Sequence, residues 1–141
     1  MKIKRDLKFE DINMLAIVVG EGELPTTFIS HVRKKNVPFL LVTFEGVVVS
    51  PELNSESFFR CKFEEISDLF DQLALEKINY IVFCGKMVRP NINLDIINPK
   101  SLKILQPILN CFNNGDDDLF RSIISAFNNF GIQTLNIADF M

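Results

Sequence analysis

The strongest constraint on the fold of this chain is the alternation of short, unbroken apolar runs with segments of helical periodicity. Three such runs, residues 14–19, Phe39–Phe44 (interrupted only by Thr43) and Tyr80–Cys84, end at a glycine or at Glu45-Gly46. Unbroken apolar runs of this length are typical of strands buried on both faces of a parallel sheet. The helical segments between them provide the crossover connections that parallel strands require. The pattern therefore predicts an α/β sandwich around a mainly parallel sheet of about five strands.

Weaker patterns complete the predicted order of elements. Phe59 and Cys61 alternate with Arg60 and Lys62, which predicts a half-exposed edge strand. Helices are predicted from Leu24 to the basic residues 33–35, from about Phe63 to Lys77, from Pro99, and from Asp116 to a C-terminal Gly131, with a last short strand at residues 134–137. Pro107 is expected to kink or shorten the third of these helices, since it lacks a backbone N–H.

Composition narrows the class of protein. The chain has 141 residues, of which 48% are hydrophobic and 23% charged, as is typical of one globular domain. With 15 basic and 18 acidic residues the formal charge is −3, and the lack of a basic excess argues against nucleic acid as a partner. No apolar run approaches the ~20 residues that span a bilayer, and we identify no signal peptide. Cys61, Cys84 and Cys111 are odd in number and widely separated, which favours a reducing cytoplasm.

Polar, glycine-containing loops follow the first and fourth predicted strands. They read GEGELP (residues 20–25) and GKMVRP (residues 85–90). In the common strand order 3-2-1-4-5, these loops flank the crevice where open α/β sheets bind ligands. Glycines let a ligand approach the backbone, and Lys86 and Arg89 are a pair of cations directly after a buried strand, so a phosphorylated ligand is predicted. The predicted substrate-binding residues are Gly20, Glu21, Gly22, Lys86 and Arg89. The alternative is that the glycines only end strands and the cations are solvated.

Three consecutive acids, Asp116, Asp117 and Asp118, begin the last predicted helix. Clustered carboxylates suit Mg²⁺, but Asp is also preferred at N-caps and in first helical turns. We favour helix capping over metal binding, and keep Asp116 and Asp117 as polar contacts of the site at the helix start.

A nicotinamide dinucleotide is a weaker interpretation of the same loops. GEGELP resembles half of a dinucleotide fingerprint, and Glu45 after the second strand mimics the acid that binds ribose. Pro25, however, replaces the third glycine, and Glu21 and Glu23 would repel a pyrophosphate. We therefore expect no NAD(P) binding.

Four motifs together stand in the order and spacing of one known family. They are GEGELP, FEG (residues 44–46), GKMVRP and GDDDLFRSI (residues 115–123). The set resembles the N-terminal domain of the LpxI-type UDP-2,3-diacylglucosamine pyrophosphatases of lipid A biosynthesis, over about residues 13–140. Two residues depart from the family pattern, because Glu64 stands in place of a glycine and Asp118 in place of a small residue.

The resemblance implies a Rossmann-like three-layer sandwich over residues 13–141, preceded by an N-terminal extension, residues 1–12. Family members hydrolyse UDP-2,3-diacylglucosamine to UMP and 2,3-diacylglucosamine 1-phosphate with a divalent cation, typically Mg²⁺. They hold the lipid product between this domain and a C-terminal catalytic domain, which carries the catalytic acid and the metal ligands. We therefore expect a substrate-binding domain that lacks its catalytic partner domain, is inactive alone and makes at most peripheral contact with the inner membrane.

A non-enzymatic α/β interaction module is the alternative from another class of protein. It predicts no binding of a phosphorylated ligand, and instead association through an exposed apolar patch. The sequence leaves the oligomeric state open, including a homo-oligomer.

Overall fold

A parallel sheet of five strands forms the centre of the structure, a computed structural model that describes residues 8–140. The strands are β1 (Leu15–Val19), β2 (Phe39–Phe44), β3 (Phe59–Cys61), β4 (Tyr80–Cys84) and β5 (Gln133–Leu135). They lie in the order β3-β2-β1-β4-β5, and every pairing is parallel. The predicted α/β class and the edge position of β3 are confirmed, and the strand order is the common one that was assumed for the loops.

Helices cover both faces of this sheet. They are α1 (Leu24–Lys34), α2 (Ile66–Leu75), α3 (Pro99–Asn110) and α4 (Asp116–Asn129). Successive side chains of a strand point to opposite faces, so Ala16 and Val18 of β1 pack in the core under α2, α3 and α4. Leu15, Ile17 and Val19 pack in the core under α1. The three-layer arrangement is confirmed. Among residues 8–140, no helix is both long and apolar enough to cross a membrane.

Most element boundaries agree with the sequence pattern. The strands β2 and β4 have the predicted bounds, and α1 ends at Lys34, within the predicted basic residues. The strand β5 ends earlier than predicted, because Ile137 already begins a 3₁₀ turn. Helix α2 ends at Leu75, and Lys77 has a φ of 56°, a left-handed conformation that does not continue a right-handed helix.

Pro107 does not shorten α3. The helix continues to Asn110, three residues past the proline. The missing N–H would have bonded the carbonyl of Lys103, and both Lys103 and Pro107 lie on the exposed side of the helix. Water can therefore satisfy the freed carbonyl. The buried side of the helix is formed by Ser101, Leu105 and Ile108.

The acids at the start of α4 do not cap it. Gly115 occupies the N-cap position without a side-chain hydrogen bond, and Asp116–Asp118 form the first turn. The expectation of carboxylate capping is wrong, although negative charge at this end still suits the helix dipole. Gly131, with a φ of 78°, follows the end of the helix as predicted.

The described part of the predicted N-terminal extension packs onto the α1 face. Phe9 and Ile12 are buried there, and the ring of Phe9 lies 4.8 Å from that of Phe140. The two ends of the described chain therefore meet in one core. Residues 1–7 of the predicted extension lie outside the described residues.

Candidate functional site

The loops after β1 and β4 are joined by backbone hydrogen bonds. The N–H of Gly20 donates to the carbonyl of Cys84 at 2.7 Å, and Glu21 and Lys86 exchange hydrogen bonds of 2.8 and 2.9 Å. The two loops that the sequence singled out are thus neighbours at the carboxyl edge of the sheet. The N–H groups of Gly20 and Glu21 are used inside the protein and are not presented to a ligand.

Two glycines permit this close approach. A Cβ on Gly20 would lie 2.5 Å from the carbonyl oxygen of Lys86, and a Cβ on Gly85 would lie 2.9 Å from that of Glu21. Gly85 also has a φ of 95°, which L side chains rarely adopt. Around Gly22, by contrast, a Cβ would meet no atom within 4 Å. Loop pairing therefore explains Gly20 and Gly85, while Gly22 keeps the space that a ligand would need.

The side chain of Glu21 attaches a third loop, the one that follows β2. Its Oε2 accepts the N–H of Val48 at 2.9 Å. The loops after β1, β2 and β4 are therefore connected by hydrogen bonds into one rim along the carboxyl edge of the sheet.

Arg89 lines a cleft between the loop after β4 and the start of α4. The cleft has a volume of about 300 Å³, and Asp116 and Asp117 also border it. Nη1 of Arg89 lies 2.5 Å from Oδ1 of Asp116, and Nη2 donates to the carbonyl of Phe112. The guanidinium carbon lies 5.3 Å from the centre of the Phe112 ring. The structure thus brings together three of the predicted site residues, Arg89, Asp116 and Asp117.

Lys86 lies apart from this cleft. Its backbone pairs with Glu21 and its side chain is exposed. It lines neither the Arg89 cleft nor the two neighbouring hollows, one at the ends of β2 and β3 and one between that hollow and the cleft. The two predicted cations therefore have different surroundings, and contact between Lys86 and a substrate stays a prediction.

The acids at the cleft do not form a metal site. Asp116 is paired with Arg89, and Oδ1 of Asp118 lies 3.1 Å from Nη1 of Arg121. Within residues 8–140, no three His, Cys, Asp or Glu side chains are grouped closely enough to hold a metal ion. Because Mg²⁺ needs oxygen ligands that are free to coordinate it, the described residues do not fit the cation that the resemblance implies.

A second hollow, the β2–β3 pocket, lies where those two strands end. It has a volume of about 420 Å³ and is lined by Thr43, Phe44, Glu45, Gly46, Val47, Arg60, Cys61, Lys62 and Glu65. Nζ of Lys62 lies 3.7 Å from Oε2 of Glu45. Sequence reasoning identified Glu45 but missed Arg60 and Lys62, because their alternation with apolar residues is also the pattern of an edge strand.

A small apolar hollow of about 30 Å³ lies between the pocket and the cleft. It shares Phe44 and Val47 with the β2–β3 pocket, and it shares Met87, Val88, Phe120 and Ile123 with the Arg89 cleft. Aromatic contacts support its walls, since Phe83 meets Phe120 edge to face at 5.2 Å. The three hollows together are named the edge groove, which is charged at both ends and apolar in the middle.

Glu64, one of the departures from the family pattern, is a buried carboxylate. Its residue is 4% exposed, and its Oε2 accepts the N–H of Asn93 at 2.7 Å. This bond ties the long segment after β4 to the turn before α2. No sequence pattern points to this role, because Glu64 and Asn93 are far apart along the chain.

The two buried cysteines are not nucleophiles. Burial raises the pKa of Cys84 to about 12, and burial together with nearby Asp68, Glu65 and Glu64 raises the pKa of Cys61 to about 12. Both thiols stay protonated at neutral pH, and only the thiolate is reactive. Cys84 behaves as the small buried hydrophobe that its strand position predicts.

Comparison with known proteins identifies what this chain is similar to. The model of one family, described as the LpxI N-terminal domain, matches residues 14–141. A curated relative, the UDP-2,3-diacylglucosamine pyrophosphatase LpxI of Caulobacter vibrioides, is 24% identical over 119 residues. The alignment covers 84% of this chain and 42% of the relative, so the chain spans less than half the length of that protein.

Proposed function

This chain belongs to the LpxI N-terminal domain family, and from that premise we propose that it is the substrate-binding half of a UDP-2,3-diacylglucosamine pyrophosphatase of lipid A biosynthesis. The edge groove is the observation that carries the proposal. It lies at the carboxyl edge of a parallel sheet, where proteins of this architecture bind their ligands.

The chemistry of the edge groove suits a substrate that is part ion and part lipid. UDP-2,3-diacylglucosamine joins a pyrophosphate to a sugar with two acyl chains. Binding such a molecule requires an apolar surface beside hydrogen-bond donors and positive charge. Phe44, Phe83 and Phe120 supply the apolar surface, and Arg89 supplies the charge.

Arg89 has donors left for a phosphate. A guanidinium carries five N–H groups, and the contacts with Asp116 and Phe112 use Nη1 and Nη2 once each. The carboxylate of Asp116 is 87% exposed. An ion pair so open to water contributes little, so a phosphate oxygen can replace Asp116 at small cost.

Gly22 and Lys86 are proposed as further contacts on the same rim. Gly22 offers backbone with open space around it. Lys86 is an exposed cation that attracts an anionic substrate toward the edge groove.

We propose that hydrolysis itself takes place in a C-terminal partner domain. Cleavage of a pyrophosphate requires stabilisation of the charge that develops on phosphoryl oxygens, normally by a metal ion held by carboxylates. The described residues do not fit such a site, so we assign no step through Mg²⁺ to them. Release of UMP by this chain alone, with Mg²⁺ present, would contradict this division of roles.

The rim of the edge groove supports docking of that partner domain. Leu24 begins α1, and Val48 and Val88 lie in the loops after β2 and β4; their residues are 45%, 75% and 37% exposed. Exposed apolar side chains at one edge are typical of an interface, and a lid over the edge groove would shield the acyl chains from water.

Direct binding of the lipid product tests the proposal. Calorimetry with 2,3-diacylglucosamine 1-phosphate should show binding to this chain, and Arg89→Ala should weaken it about tenfold, the effect of one charge-assisted hydrogen bond. Arg121→Ala is the matched control, because Arg121 also pairs with an aspartate of α4 but does not line the cleft.

The two arginine variants separate a site from general electrostatics. Each removes one positive charge, so equal weakening by both would show that charge alone attracts the lipid phosphate. Absence of binding to the unmodified chain would overturn the proposal and favour the interaction module.

A further inference from the structure

We propose that the β2–β3 pocket is the nucleoside subsite, in which Glu45 accepts hydrogen bonds from the ribose hydroxyls of a uridine nucleotide. This inference rests on the proposed function, since the substrate named there carries a uridine diphosphate. It adds a location for the nucleoside and a residue that recognises it.

The position of Glu45 points to ribose. It is the first residue after β2, and its N–H donates to the carbonyl of Cys61 at 2.9 Å, which fixes the backbone beside the end of β3. In open α/β sheets that bind nucleotides across the carboxyl edge, an acid placed after the second strand accepts from the ribose hydroxyls. The same edge places Glu45 one loop away from Gly22, because Glu21 is bonded to the loop after β2.

The pocket has the size and the lining that a nucleoside needs. Its volume of about 420 Å³ lies within the roughly 300–1,000 Å³ of small-molecule sites. Glu45 and Glu65 offer carboxylate oxygens to hydroxyl donors, and Phe44 and Val47 give an apolar wall for a base. Arg60 and Lys62 offset the negative charge of a nucleotide.

The ion pair already present does not oppose this role. Lys62 and Glu45 are 3.7 Å apart, and their side chains are 48% and 63% exposed. Exposed pairs of this kind contribute little to stability. A ribose can therefore take the oxygens of Glu45 while Lys62 turns toward a phosphate.

The order of the hollows also suits the direction of the substrate. The nucleoside end of the substrate is polar and the sugar end carries acyl chains, and the β2–β3 pocket is followed by the apolar hollow that it meets at Phe44 and Val47. A substrate with its uridine in the pocket would carry its pyrophosphate along the rim toward Arg89 and turn its acyl chains onto the apolar middle of the edge groove.

Calorimetry of this chain with UMP tests the subsite, with 2′-deoxy-UMP and inorganic phosphate as comparison ligands. We expect UMP to bind, 2′-deoxy-UMP to bind several-fold more weakly, and phosphate to show no saturable binding. Glu45→Gln should weaken UMP binding about tenfold and abolish the preference over the 2′-deoxy ligand. The direction of this change in affinity is diagnostic. If only electrostatics acted, removal of a negative charge would strengthen the binding of anionic UMP rather than weaken it.

Glu52→Gln is the matched control, since Glu52 is an exposed acid on the turn after β2 and does not line the pocket. Far-UV circular dichroism confirms that both variants are folded. The subsite is wrong if UMP does not bind while 2,3-diacylglucosamine 1-phosphate does, an outcome that leaves the proposed function intact. It is equally wrong if Glu45→Gln binds UMP as tightly as the unmodified chain. If neither ligand binds, the proposed function fails with it.

Discussion

Gly85 and Gly22 share a backbone conformation but differ in their surroundings. Their φ values are 95° and 99°, yet a Cβ would lie 2.9 Å from the carbonyl oxygen of Glu21 at Gly85 and would meet nothing at Gly22. We expect Gly22→Ala to lower the free energy of unfolding by about 1–2 kcal/mol, the strain of a left-handed residue. Gly85→Ala should lose about 1–3 kcal/mol more, because the paired loops must separate.

Urea unfolding of the two variants measures this difference. Equal losses of stability would show that the loops after β1 and β4 yield easily, and that the glycine at position 85 serves only its φ. That result would also reopen the interpretation of Gly20, whose Cβ would lie 2.5 Å from the carbonyl oxygen of Lys86.

At the scale of residues, the sequence predicted that the loops after β1 and β4 lie side by side, but not the contacts that each of their residues makes. Gly20 and Gly22 look alike in GEGELP, but one faces a neighbouring loop and the other faces open space. Arg89 meets Asp116 because the segment after β4 folds back toward α4, over 27 positions of sequence. Contacts of this kind depend on the path of a long loop, which carries no periodic pattern.

Helix α3 contains two prolines with opposite expected effects. Pro99 is at the first turn, where its missing N–H has no partner in any case, whereas Pro107 interrupts the hydrogen bond to the carbonyl of Lys103. Pro107→Ala restores this hydrogen bond but also gives the unfolded chain more conformational entropy, which opposes folding. We expect the net effect to raise the free energy of unfolding by about 1–2 kcal/mol. Pro99→Ala should lower it by about 0.4–1 kcal/mol.

The midpoints of urea unfolding for these two variants measure both changes in stability. The expected signs are opposite on one helix, so a general effect of proline removal is excluded by the comparison. If Pro107→Ala destabilises the chain as Pro99→Ala does, then the proline is required by the packing of Leu105 and Ile108 rather than tolerated on the exposed side.

The elements with the clearest apolar pattern were the ones predicted best. Strands β2 and β4 are almost entirely apolar and have the predicted bounds. Pro107 does not shorten α3 and the acids do not cap α4, because each expectation used a local rule that takes no account of exposure to water or of side-chain partners. Pro107 faces water, and Asp116 and Asp118 are paired with Arg89 and Arg121 instead of the helix N–H groups.

For the molecule as a whole, the order of the strands was within reach of the sequence and the edge groove was not. Alternation of strands and helices restricts the topology to a few choices, and the commonest of them is the one observed. The edge groove depends on side chains from β2, β3, β4 and α4 that no motif links. Glu45 and Arg89, at its two ends, were singled out separately, without a sign that one surface joins them.

The two cores of the molecule share the same strands, and this predicts that they unfold together. Residues of β1 alternate between the core under α1 and the core under α2, α3 and α4, so neither core can open while the sheet persists.

Ile29 of α1 and Ile108 of α3 are at most 1% exposed and lie on opposite faces of the sheet. We expect Ile29→Val and Ile108→Val each to lower the free energy of unfolding by about 0.5–1.5 kcal/mol, and the double variant to lose their sum within about 0.5 kcal/mol. Urea unfolding followed by circular dichroism and by the fluorescence of Tyr80, the single tyrosine in a chain without tryptophan, should give one coincident transition for all three. Separate transitions, each moved by one of the substitutions, would mean instead that the two faces are held by independent cores.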